Sequence, residues 1–108
     1  MDFDNAKKEF LAELVQKSAA GKIDWLEEAD PDAFTVTFGG KYIVKTYKLQ
    51  SGTVIVKISN DVGRELFQYR ETRDEPTGAV WELYQSARRK ALKVEEALAD
   101  LLADIQRK

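Results

Sequence analysis

The chain has 108 residues with a formal net charge of −2, and it contains neither Cys nor His. Those two absences exclude disulfides, thiol nucleophiles, zinc sites built on thiolates, and any catalysis or metal ligation by imidazole. The small net charge gives no overall attraction to nucleic acid or to an acidic membrane surface. A hydrophobic share of 44% at this length is typical of one folded domain, so we predict a single domain over residues 1–108.

The N-terminal segment predicts an α-helix over residues 4–20. Its apolar residues recur on one stripe, while lysines take the opposite side. Asp2 or Asp4 supplies the N-cap, and Gly21 is a typical residue to end the helix. The acidic start lacks an apolar run, and no stretch approaches the ~18 apolar residues of a membrane span. We therefore expect a cytoplasmic protein with no membrane partner.

Residues 22–32 form an acidic connection that Pro31 prevents from being helical. Ile23, Trp25 and Leu26 lie within four positions of one another. Three large apolar side chains so close together predict an ordered strap over the edge of the core.

The middle of the chain alternates apolar and polar residues with the two-residue period of β-strands. Short connections between the strands predict an antiparallel meander. Phe67 and Tyr69 share one face of the last strand and Leu66 the other, although a short helix is an alternative for that segment. The four predicted strands cover residues 34–38, 42–49, 53–60 and 64–72.

A helix is predicted from Ala79 to about Arg107, with Thr77 as its N-cap. Its apolar positions are spaced alternately by four and three residues without interruption. About 28 residues at ~1.5 Å each span about 42 Å, twice the ~20 Å of a six-residue strand. The helix therefore either breaks near Leu92 and Val94 and folds back, or packs its second half against another chain. The eight positions are Val80, Tyr84, Ala87, Ala91, Val94, Leu98, Leu101 and Ile105.

These elements define an α+β fold: an N-terminal helix, a four-stranded antiparallel β-meander and a long C-terminal helix packed on one sheet face. Val36, Val56 and Trp81 are predicted in the core. The segments GKIDW at 21–25 and LYQSARRKALKVEEAL at 83–98 resemble a group of small bacterial proteins of unassigned function. That resemblance implies the α+β fold and a bacterial source, and it implies no reaction and no functional residue.

The sequence carries no catalytic motif. It has no Gly-x-Ser-x-Gly elbow, no Ser-x-x-Lys pair and no glycine-rich phosphate loop. Glu96, Asp100 and Asp104 recur every four residues, which suits a hard cation but is more typical of a solvated helix face. We therefore predict a protein that is not an enzyme, with no catalytic residue, no metal site and no cofactor.

The polar feature that most favours a ligand is a run of basic residues in the C-terminal helix. A nucleic-acid phosphate backbone is the expected partner of such a patch, although the net charge does not favour it. Tyrosines in the strands would add a stacking surface if one sheet face is bare. The candidate basic residues are Arg88, Arg89, Lys90 and Lys93, with Lys41, Lys45, Lys48 and Lys57 from the strands; the tyrosines are Tyr42, Tyr47 and Tyr69.

Our main hypothesis is a non-catalytic protein-interaction module that self-associates through the second half of its C-terminal helix. Four bases and one acid give residues 82–93 a charge of +3, whereas four acids and two bases give residues 94–108 a charge of −2. Two such helices packed antiparallel would place unlike charges together in a homodimer. Alternatives are a heterologous protein partner, nucleic-acid binding, and a small-ligand-binding protein or carboxylate-based enzyme. The interaction residues are Val94, Leu98, Leu101, Leu102 and Ile105.

Overall fold

A computed structural model describes residues 2–30, 32–72 and 78–108. The fold is α+β, as predicted, but the sheet has five strands and the C-terminal helix is divided in two. In chain order the elements are α1 (Phe3–Ala19), β1 (Leu26–Glu27), β2 (Ala33–Phe38), β3 (Tyr42–Lys48), β4 (Val54–Asn60), β5 (Glu65–Glu71), α2 (Ala79–Ala91) and α3 (Val94–Gln106). Asp2 caps α1 through its carboxylate, which accepts from the backbone N–H groups of Asp4 and Asn5.

The five strands form an antiparallel meander in the order β1-β2-β3-β4-β5. The segment for which a short helix was the alternative is strand β5. Phe67 and Tyr69 pack against the core from its inner face, whereas Leu66 is exposed. Burial of the two aromatic rings outweighs the helix propensity of the intervening polar residues.

Strand β1 is the addition that the sequence analysis missed. The strap pairs with β2 through Leu26 opposite Thr35 and Glu27 opposite Phe34. Because Phe34 faces the helices, Leu26 and Thr35 lie on the outer face of the sheet. Leu26 is 64% exposed and is not the core anchor that we expected, whereas the strap's other two apolar residues, Ile23 and Trp25, are buried.

The core lies between the inner face of the sheet and helices α1 and α2. Val56 is fully buried, as predicted, whereas Val36 and Trp81 are only partly buried at the margin of the core. Helix α2 contacts all five strands and α1, so it is the central element of the fold. The buried apolar cluster comprises Leu14, Ile23, Trp25, Phe34, Val44, Val54, Val56, Ile58, Val80, Leu83, Tyr84 and Ala87.

Helices α1 and α2 are joined by buried polar groups. Trp25 Nε1 donates to Ser18 Oγ at 2.9 Å, the Ser18 and Ser86 hydroxyls are 2.6 Å apart, and Ser86 Oγ donates to the Leu83 carbonyl at 3.0 Å. If Ser18 donates to Ser86, every polar hydrogen in this chain of bonds has an acceptor. Buried groups satisfied in this way stabilise the contact between the two helices.

The start of α2 is capped by a residue from another element. Glu71, the last residue of β5, is buried and accepts from the backbone N–H groups of Gly78 and Trp81, each at 2.7 Å. A Cβ atom at position 78 would lie 2.5 Å from Glu71 Oε1, so the carboxylate occupies space that only glycine leaves open. The predicted N-cap, Thr77, lies outside the described residues.

Helix α2 ends at the place where the sequence analysis allowed a break. Lys93 has φ 54° and ψ 45°, in the left-handed region, and separates α2 from α3. The second half does not fold back onto the sheet: α2 is the only described element that α3 contacts, and no α3 residue is buried. The prediction of one long helix packed on a sheet face is therefore correct for α2 and wrong for α3.

The projecting helix lengthens the molecule. The molecule measures 59 × 34 × 25 Å along its principal axes. Its radius of gyration is 15.4 Å, whereas a compact chain of this length has a radius of gyration of about 13 Å. Among the described residues, no helix has the length and apolar character needed to cross a membrane.

Candidate interaction surface

The apolar face of α3 has no buried residue in the described structure. At about 100° per residue, five apolar side chains fall within an arc of about 100° around the helix axis. Each is more than a third exposed, although each lies at a position typical of a buried helix face. They are Val94 (37% exposed), Leu98 (56%), Leu101 (59%), Leu102 (50%) and Ile105 (67%), and we call them the α3 face.

The acidic residues of α3 lie outside this arc and face solvent. Asp104 Oδ1 accepts from Arg107 at 3.1 Å, and its other oxygen lies 4.0 Å from Lys108 Nζ. Glu96 and Asp100 are exposed. Over the described part of the chain, no three acidic side chains are grouped closely enough to hold a metal ion. The four-residue spacing therefore produces a solvated polar side.

The predicted basic residues meet at the junction of α2 and α3. Arg88, Arg89 and Lys90 occupy the last turn of α2, where positive charge is favourable beside the carbonyl end of the helix. Lys90 donates to the Gly21 carbonyl at 3.2 Å and lies 3.7 Å from Asp24. It therefore ties the end of α1 to α2.

A cleft of about 370 Å³ lies at the same junction, between the end of α1 and the start of α3. Its charges are mixed, because three basic side chains face it together with two glutamates. Ser18 and Ser86 also line it, but both hydroxyls are already bonded within the protein. The charged lining residues are Arg89, Lys90, Lys93, Glu95 and Glu96.

The strand lysines do not extend the basic patch. Lys45 and Lys57 are opposite each other on the outer face of the sheet, away from α2, and Lys45 is 3.2 Å from Glu28. Lys48 is paired with Val54 and so belongs to the inner face, and Lys41 lies in the turn before β3. The continuous positive surface on which nucleic-acid binding would depend is therefore divided.

The three strand tyrosines do not form one stacking surface either. Tyr47 lies on the outer face, whereas Tyr42 and Tyr69 lie on the inner face. The Tyr69 hydroxyl donates to the Lys7 carbonyl of α1 at 2.5 Å, and burial raises the pKa of Tyr69 to about 12. This tyrosine therefore holds α1 against the sheet.

Tyr84 is a buried polar group that the sequence pattern marks only as apolar. Its hydroxyl has no hydrogen-bond partner among the described residues, and the same is true of Thr46 Oγ1. Burial, with a smaller contribution from the negative charge of Asp32, raises the pKa of Tyr84 to about 12, while Arg88 opposes the rise. The neutral phenol is thus strongly favoured, as expected of a ring that packs 5.8 Å from Phe34 in the core.

The comparisons with known proteins add no function. No protein-family model matches this chain, and neither a curated protein nor a solved structure matches it significantly. The resemblance to small bacterial proteins therefore stays a prediction. The surface itself has to support any functional proposal.

Proposed function

We propose that this protein is a non-catalytic protein-interaction module that self-associates through α3. The observation that carries the proposal is the α3 face, five neighbouring apolar side chains that are 37–67% exposed and that no described residue buries. Single exposed apolar residues are normal on soluble proteins, whereas a contiguous stripe is typical of an interaction site.

The length of α3 supports the same conclusion. Isolated helices shorter than about 12–15 residues are marginally stable in water, and α3 has 13 residues. Tertiary packing normally supplies the missing stability, but α3 packs only beside the end of α2. Covering the half-exposed α3 face would contribute on the order of 1 kcal/mol per side chain. A partner would therefore stabilise the helix as well as bind it.

A second copy of this chain is the partner that the charges favour. The junction before α3 carries Arg88, Arg89 and Lys93, whereas residues 94–108 carry four acidic side chains against two basic ones. One molecule thus presents both members of a complementary surface, which suits a two-fold dimer. Two helices about 20 Å long bury less than the roughly 800 Å² per partner of a standard interface, so we expect micromolar affinity.

Sedimentation velocity over micromolar concentrations tests this proposal. The unaltered chain is expected to shift from monomer to dimer, and Leu98→Asp is expected to remain monomeric because it places a charge in the centre of the α3 face. Ala103→Asp is the matched control, since it adds the same charge to the polar side of the same helix and should leave the dimer intact. A chain that stays monomeric at every concentration would contradict self-association.

A further inference from the structure

We infer that the two α3 helices of the dimer pair antiparallel, with Val94 beside Ile105 of the partner subunit. This inference rests on the proposed function and specifies the orientation and register of the two copies. Three features of the molecule support it: the order of the side chains in the α3 face, the basic end of α2 that precedes α3, and the size of the body attached to α3.

The α3 face is well matched to itself in an antiparallel register. When Val94 lies opposite the partner's Ile105, Leu98 lies opposite the partner's Leu101, and Leu102 flanks the two-fold axis. The β-branched Val94 and Ile105 then meet at both ends, and leucines meet in the centre. Apolar packing alone does not exclude a parallel pair, because every position would then lie opposite its own copy.

The size of the molecule disfavours the parallel pair. Packed helices have axes about 8–10 Å apart, whereas the smallest dimension of the molecule is 25 Å. Helices α1 and α2 and the sheet all precede α3 in the chain, and α3 contacts only α2 among the described elements. Parallel α3 helices would bring the two bodies side by side at one end, and antiparallel helices place them at opposite ends of the pair.

The charges favour the same orientation. A parallel pair would bring the basic ends of both α2 helices together, with Arg88, Arg89 and Lys93 from each copy at one end, and like charges placed together weaken association. In an antiparallel pair these two basic ends lie at opposite ends of the paired helices.

Disulfide trapping tests the orientation directly, because the chain has no cysteine of its own. Val94→Cys and Ile105→Cys are prepared as separate proteins, and each protein and their mixture are oxidised mildly at dimer-forming concentration. An antiparallel pair should cross-link rapidly only in the mixture. Two copies of position 94 would be about 16 Å apart along the axis, well beyond the ~7 Å limit between the Cα atoms of a disulfide.

Mixing Val94→Cys with Ala103→Cys, on the polar side of α3, is the matched control and should not cross-link. Cross-linking of each single variant with itself would overturn the antiparallel inference and leave self-association standing. A dimer in sedimentation without any cross-link would place the interface elsewhere and overturn both proposals. A chain that sediments only as a monomer would overturn the proposed function, and the orientation with it.

Discussion

Helices α2 and α3 have the same length and the same apolar spacing but opposite surroundings. Each has 13 residues, and the alternating spacing of four and three residues runs through both. In α2 this spacing puts Val80, Tyr84 and Ala87 in the core, whereas none of the α3 residues is buried. The periodicity of a helix thus identifies its apolar face without identifying what covers that face.

The width of the sheet explains where the two helices part. Five strands about 4.8 Å apart are about 19 Å wide, and 13 helical residues span about 20 Å. Helix α2 starts beside Glu71, at the end of β5, and contacts every strand, so a helix of this length is enough to cross the whole sheet. The chain beyond α2 has no inner face to pack on, and Lys93 turns it away.

The largest expected effect comes from truncating a buried leucine of α2, and an exposed leucine of α3 provides the comparison. Leu83 is fully buried, so Leu83→Ala is expected to lower the free energy of unfolding by about 2–5 kcal/mol. Leu98→Ala in α3 should change it by less than about 0.5 kcal/mol in dilute, monomeric protein, because Leu98 has little packing to lose. Urea denaturation at low protein concentration measures both values.

Raising the concentration sharpens this test. At concentrations where the unaltered protein dimerises, the dimer covers its α3 face and so stabilises it. Leu98→Ala weakens this contact and should therefore become destabilising, while the loss from Leu83→Ala stays constant. Equal losses in dilute protein would mean that α3 is packed within the monomer, and the contrast between the two helices would be wrong.

The starts of the two helices differ as well. Glu71 caps α2 through two backbone N–H groups, whereas α3 has no side-chain cap. Glu71→Ala leaves these partly buried donors without a partner, so we expect a loss of about 1–3 kcal/mol in the free energy of unfolding. Glu65→Ala is the matched control, because Glu65 is an exposed glutamate in the same strand. Similar losses in the two variants would contradict the capping role of Glu71.

Local patterns predicted the elements whose neighbours are close in sequence. The first helix, the meander and the possible break near Leu92 follow from apolar spacing, turn residues and the length of a strand. The apolar positions of α3 also follow from amphipathic spacing, which is a local property, while their role in an interaction stays a prediction. Residues 64–72 could form a strand or a short helix by local propensity. The strand is favoured because it packs Phe67 and Tyr69 against the core, and a local pattern does not show which side chains the fold covers.

The missed features depend on pairings between elements, which the pattern within one element does not contain. Strand β1 exists because β2 offers an edge to the strap, and the Ser18–Ser86 contact joins positions 68 residues apart. Glu71 looks like a surface acid in sequence and becomes a cap only when α2 returns to the end of β5. The positions of the basic residues in the chain likewise do not indicate that Lys45 and Lys57 face away from Arg88.

The smallest effect concerns Lys93, the residue at which α2 and α3 diverge. Its φ of 54° costs a residue with a Cβ atom about 1–2 kcal/mol and costs glycine almost nothing. Lys93→Gly should therefore leave the free energy of unfolding of the monomer unchanged or raise it by up to about 1 kcal/mol. Arg89→Gly, four residues earlier in the last turn of α2, should lower it by up to about 1 kcal/mol, because glycine weakens a helix and the favourable positive charge at the helix end is lost. If Lys93→Gly were as destabilising as Arg89→Gly, residue 93 would be helical in solution. The chain would then form one continuous helix, and the apolar positions of α3 would extend the core-facing side of α2 beyond the edge of the sheet.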